Sequence, residues 1–155
     1  MTEQTTQKKY ELLKDDTVEH FGRTLYRIKA LITFGLVGAG QLGGYIETEK
    51  NLDHSGNAWV YDNALVYGDA RVCGDALVRS FAVISERKMI FGASNVGSEN
   101  GTLTVFNGKY GLIVTRGCFT GTVDEFLSKS KEVHDDKTHH EYKLLIEVAQ
   151  SRILN

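Results

Sequence analysis

The chain has 155 residues, 41% hydrophobic and 25% charged, with a formal net charge of −2, which is room for one domain or two very small ones. Glycine occurs 16 times and proline never, where average usage of about 7% and about 5% would give roughly 11 and roughly 8. A proline-rich linker and a disordered low-complexity chain are excluded, as is collagen, because glycine has no period of three. The balanced charge, with no basic block, gives no support for direct binding of nucleic acid or of an anionic membrane. No run of about 18 apolar residues is present, and the N-terminus is polar, so neither a transmembrane helix nor a signal peptide is expected. Cys73 and Cys118 form no CxxC pair and fit a reducing compartment.

Residues 1–36 read as an N-terminal β cap. Tyr10–Leu13 and Thr24–Ile32 are rich in Tyr, Leu and Ile, and turn-prone Asp15-Asp16 and Phe21-Gly22 lie between them, which predicts a hairpin. Gly38-Ala39-Gly40-Gln41-Leu42-Gly43 then satisfies G-x-G-x-x-G after an apolar run. A dinucleotide site needs those glycines to open a helix whose amides hold the pyrophosphate. Here Gly44-Tyr45-Ile46-Glu47 follows, with no amphipathic helix, so the glycines read as tight entry turns and no cofactor is expected.

Residues 37–85 carry an internal repeat. Residues 55–78 divide into SGNAWV, YDNALV, YGDARV and CGDALV. Ala58, Ala64, Ala70 and Ala76 recur every six residues, as do Val60, Val66, Val72 and Val78, and Asn57, Asn63, Asp69 and Asp75 precede the alanines. Weaker units extend it, with Ile46 and Leu52 at the alanine phase and Ala82 with Ile84 continuing the pair.

This pattern resembles the left-handed parallel β-helix of hexapeptide-repeat proteins, in which three hexads make one triangular coil. The resemblance implies inward Ala and Val, corners at the Gly, Asn and Asp pairs, and stacking of residues one coil apart at roughly 4.8 Å. Ala58 then lies beneath Ala76, and Ile46 beneath Ala64. One outward face carries Trp59, Tyr61, Leu77 and Arg79, and a second carries Leu65, Tyr67 and Val83 above Glu47 and Glu49. These two faces read as covered, because an exposed aromatic forgoes about 1.5–3 kcal/mol of burial. A third reads as solvated, with Asp53 set beneath Arg71 as an opposite-charge pair. Trp59, Tyr61, Leu65, Tyr67, Leu77 and Arg79 are therefore the candidate self-association or partner-binding residues, and a homo-oligomer, a trimer first or a dimer, is expected.

Residues 86–155 read as a C-terminal α+β cap. Met89–Phe91, Thr102–Phe106 and Leu112–Thr115 are expected strands, with Asn107-Gly108 as a hairpin turn. Thr122 with Glu125 and Thr138 with Glu141 fit the capping box and predict two helices. His134, Asp135, Asp136, His139 and His140 are nitrogen and oxygen donors close in sequence, but a polar loop entering a capped helix explains them without a metal. The expected fold class is thus mainly β: a short left-handed parallel β-helix capped by an N-terminal hairpin and by a C-terminal hairpin with two helices.

Over nearly its whole length the chain also resembles small phage and prophage proteins with YGNARV-type hexads. The resemblance is carried by Tyr10-Glu11-Leu12-Leu13, by Gly22 through Ile28, by Leu42 through Glu47, and by Gly111-Leu112-Ile113 through Gly117-Cys118-Phe119 to Phe126. It implies a non-catalytic phage-encoded accessory protein in the bacterial cytoplasm, of the counter-defence type, that inhibits or sequesters a host protein or complex through protein–protein contacts. Two alternatives stand beside it. One is a hexapeptide-repeat acyltransferase using acetyl-CoA, for which His54 is the sole histidine of the repeat. The other is a sponge for nucleotide-like molecules held against Tyr67 or Arg79. No catalytic residue and no metal ligand is assigned.

Overall fold

A computed structural model describes residues 8–154. It opens with β1 (Tyr10–His20) and β2 (Arg23–Ala30), an antiparallel hairpin turned at Phe21-Gly22, both at positive φ. Asp15-Asp16 is not a turn: β1 runs through it as a bulge between Leu13 and Thr17, because hairpin pairing continues on both sides. β3 (Leu42–Ile46) pairs antiparallel with β2. Four two-residue strands follow: β4 (Trp59–Val60), β5 (Leu65–Val66), β6 (Leu77–Val78) and β7 (Val83–Ile84). Then come β8 (Ile90–Val96), β9 (Gly101–Gly108), β10 (Gly111–Arg116) and β11 (Phe119–Thr122), an antiparallel meander in the order β11-β10-β9-β8. Helices α1 (Val123–Val133) and α2 (Asp136–Ile153) complete the chain.

The expected single left-handed parallel β-helix is corrected by this arrangement. Among the described residues there are three sheets: a five-stranded mixed one ordered β1-β2-β3-β5-β7, the four-stranded meander, and the parallel pair β4-β6. Among the described residues parallel pairing is confined to ladders of two residues, Trp59 with Leu77, Leu65 with Val83 and Tyr45 with Leu65 among them, and to the single bridge Leu52–Val72. The long strands all lie outside the hexads and pair antiparallel. The physical reason is length. Four clear hexads leave few rungs, whereas a local hairpin closes many ladder bonds at little loop entropy.

Within the repeat the alanine and valine positions are buried from Ala58 to Ile84, giving a core shared with Tyr10, Ile28, Trp59 and Phe106. The stacking offset departs from one uniform coil. Ile46 sits opposite Val66 rather than Ala64, and Leu52 opposite Val72, so this side carries two extra residues. They lie between Leu52 and Trp59, because Leu52 pairs 20 residues on with Val72 whereas Trp59 pairs 18 residues on with Leu77; the 3-10 turn at Glu49–Asn51, closed by a capping box between Thr48 and Asn51, precedes them. Two residues preserve side-chain parity, so Ile46 and Leu52 remain inward. The offset also separates Asp53 from Arg71, and the expected pair does not form: Asp53 accepts from the Ser55 N–H at 3.2 Å and hydroxyl at 3.0 Å.

A second core joins Leu103, Val105 and Val114 of the meander to Phe126, Tyr142, Ile146, Ala149 and Ile153 of the helices. The opposite side of the meander faces the repeat, where the Thr115 hydroxyl donates to the Leu77 carbonyl at 2.7 Å. Thr122 caps α1 as expected, its hydroxyl accepting the Glu125 N–H at 3.1 Å. α2 differs: Asp135 is its N-cap, accepting the Thr138 N–H at 2.8 Å, and Glu141 instead accepts the Gly97 N–H. An Asp directly before the first helical residue competes well with Thr for the cap. Asn107-Gly108 also proves to be strand, and the meander turns at Lys109-Tyr110.

Candidate functional site

The six residues expected on an association surface are buried or half-buried within this chain. Trp59 is wholly buried, with the rings of Tyr10 and Phe34 edge-on at 6.2 and 5.3 Å. Tyr67 is buried with Leu25 and Tyr45 in a small cluster that also takes in Val18, Leu65 and Val83. Leu77 lies under the meander, its N–H donating to the Thr104 hydroxyl at 3.3 Å. Arg79 stacks over Tyr61 at 5.0 Å and donates to the Gly117 carbonyl at 2.9 Å. The faces are covered by this chain's own hairpin and meander, since intramolecular burial carries no cost of association.

His54 is equally committed. Its Nδ1 accepts the Lys9 backbone N–H at 3.1 Å, its Nε2 lies 2.8 Å from the Glu49 carboxylate, and its ring stacks on Tyr10 at 4.1 Å. Accepting a backbone N–H requires an unprotonated Nδ1, so Nε2 carries the hydrogen donated to Glu49. Neither nitrogen is left to remove a proton from an acceptor substrate. The surroundings lock this clamp. The Tyr10 hydroxyl donates to the Leu52 carbonyl at 2.6 Å, and the buried Lys9 ammonium donates to the Ala58 carbonyl at 2.7 Å. Burial lowers the Lys9 pKa and raises that of Tyr10.

The hydrogen bond from His54 holds Glu49 below the usual carboxylate range, and the Ser55 backbone N–H does the same for Asp53. Such groups contribute stability that is present above about pH 4 and is lost as pH falls through their lowered native values. The unfolding midpoint should therefore drop on acidification. A Glu49→Gln, Asp53→Asn double variant should be weaker at neutral pH yet converge on the wild type in acid. Melting curves that stay parallel across this range would remove the account.

The histidine-rich stretch is divided between helix ends. His134 caps the C-terminus of α1, Asp135 caps α2, and His139 Nδ1 lies 3.0 Å from the Ser130 hydroxyl. No group of three metal-ligating side chains converges among the described residues. Gly38 and Gly40 lie at a turn leading into β3, Gly43 lies within that strand, and no helix follows them directly. A Cβ at Gly43 would stand 2.6 Å from the Val60 carbonyl oxygen and 2.8 Å from the Trp59 ring, so the glycine serves close packing.

An exposed aromatic pair lies elsewhere. Phe81 is 60% and Tyr110 79% exposed, and their rings meet edge to face at 5.6 Å. They border a groove of about 290 Å³ whose lining includes Leu112, Ile113, Thr120, Thr122 and Glu125. The pair is held by backbone: the Lys109 N–H donates to the Phe81 carbonyl at 2.8 Å, and Ala82 bridges Gly108. Sequence reading passed over both residues, although a signal was present. Phe81 occupies the phase held by Asn57, Asn63, Asp69 and Asp75, so a large aromatic replaces a corner residue. Tyr110 sits in a two-residue hairpin turn, where polar residues are usual.

No protein-family model matches this chain, and no curated protein matches its sequence. No helix among the described residues is long and apolar enough to cross a membrane.

Proposed function

We propose that the protein is a non-catalytic, phage-encoded accessory protein that inhibits or sequesters a bacterial host protein through protein–protein contact. The observation that carries this reading is the Phe81–Tyr110 pair, two exposed rings braced on ladder backbone beside an apolar groove. Such residues are stiff, lose little side-chain entropy on docking and form typical hot spots. The resemblance to phage hexad proteins supports the origin and the class of target. The acyltransferase reading loses support because both nitrogens of His54 are engaged. A nucleotide sponge against Tyr67 or Arg79 loses it because Tyr67 is buried and Arg79 is bonded to the β10–β11 turn.

The test is a comparison of wild type with a Phe81→Ala, Tyr110→Ala double variant. A host protein captured by the wild type should bind the purified variant at least about 30-fold more weakly, as expected for a hot spot worth about 2 kcal/mol. The variant's melting temperature should change little, since both side chains are exposed. Undiminished binding would place the contact elsewhere. A change in oligomeric state, read by sedimentation, would assign the pair to self-association instead.

A further inference from the structure

A second cavity, of about 510 Å³, lies where the β10–β11 turn meets α1, and it shares no lining residue with the Phe81–Tyr110 groove. Phe119 and Phe126 give it an apolar wall, their rings 5.5 Å apart and inclined at 62°. Arg116 and Lys129 supply two positive charges, and Glu99 is the sole carboxylate of the lining.

Arg116 is the unusual member. Its side chain is only 17% exposed, and Nε and Nη2 are themselves buried with no hydrogen-bond partner among the described residues, so a ligand reaches them only by displacing the side chains that cover them. These two nitrogens form one edge of the guanidinium, the edge that grips a carboxylate, sulfonate or phosphate with two parallel bonds. Glu99 forms a long ion pair with Nη2 at 3.5 Å, without a hydrogen bond, from a side chain that is 78% exposed. It therefore screens the guanidinium without satisfying it. Lys129 is exposed on α1 and has no ion pair among the described residues. An apolar wall with a few convergent polar groups is the usual make-up of a small-molecule site.

We infer that this cavity binds a small organic anion with a flat apolar body, the body against Phe119 and Phe126 and the acidic group on Arg116 and Lys129 in place of Glu99. The inference is independent of the proposed protein contact. It also differs from a nucleotide sponge between subunits, because the whole site lies within one chain.

Cysteine chemistry tests it in the intact protein. Cys118 lines this cavity, whereas Cys73 lies on the repeat, and both are free and exposed. The probes are anilinonaphthalene sulfonate and its uncharged counterpart, phenylnaphthylamine. The sulfonate should slow alkylation of Cys118 about tenfold and leave Cys73 unchanged, while the neutral probe at equal concentration should protect neither. Lys129→Gln should weaken sulfonate binding about tenfold, and Glu99→Gln should tighten it. Both substitutions are at exposed positions, so the test does not depend on whether Arg116→Gln folds. The Phe81→Ala, Tyr110→Ala variant should bind the probe as the wild type does. Equal protection by the neutral probe, protection of Cys73, or indifference to both Lys129→Gln and Glu99→Gln would overturn the assignment.

Discussion

Trp59→Ala should destabilise the protein by about 3–5 kcal/mol, the range for removing a large aromatic from a packed interior. Trp59 is fully buried, touches the rings of Tyr10 and Phe34, and lies where the hairpin closes on the repeat. In a domain of this size such a loss lowers the melting midpoint by on the order of 10 °C. The indole N–H has no hydrogen-bond partner among the described residues, so the side chain contributes through packing alone. Trp59→Phe should accordingly cost much less, since it keeps most of the ring and deletes a donor that burial leaves unsatisfied. Denaturant unfolding of the two variants checks this. A Trp59→Ala cost within about 1 kcal/mol would mean that the ring is not packed inside the chain, and would return it to the surface that the repeat pattern first predicts.

Gly56→Ala and Gly74→Ala should differ sharply although the two glycines occupy equivalent corners. Both have positive φ, +71° and +64°, so each alanine meets the left-handed penalty of roughly 1–2 kcal/mol. At Gly74 nothing lies within 4 Å of the added Cβ, and that penalty is the whole effect. At Gly56 the Cβ would stand 2.5 Å from the Gly74 carbonyl oxygen. That oxygen accepts the N–H groups of Asn57 at 3.1 Å and Ala58 at 2.9 Å, so moving it weakens two ladder bonds as well. With about 0.5–1.5 kcal/mol for each bond, Gly56→Ala should cost about 2–5 kcal/mol. Equal losses by denaturant unfolding would show that the corners are not stacked.

These two variants mark the line between what the repeat announces and what it conceals. The hexad phase identifies the buried alanines and valines and the corner glycines, because a side chain's direction along extended backbone follows directly from residue parity. It does not reveal the two extra residues between Leu52 and Trp59, since the units before Ser55 are too weak to fix their own alignment. One consequence is the Asp53–Arg71 pair, which is read from an assumed register and does not form. The same limit applies to the candidate surface. Trp59 and Tyr67 are recognisable as covered, but a pattern of outward residues cannot say whether the cover is a second molecule or the chain itself.

The amino-acid sequence by itself therefore determined the local features of this protein. They are the inward set of the hexads, the Phe21-Gly22 hairpin turn and the Thr122–Glu125 helix start, each specified within a few residues by sterics or a single cap. Tertiary structure decided the rest. It limited the parallel pairing of the repeat to short ladders beside antiparallel neighbours, set the N-terminal hairpin over Trp59 and Tyr67, and tied His54 between Lys9 and Glu49. It also brought Phe81 to Tyr110, and Arg116 to Lys129 beside two phenylalanines. Each of these joins residues from separate elements, and their meeting is a compromise among many weak contacts that no local pattern encodes.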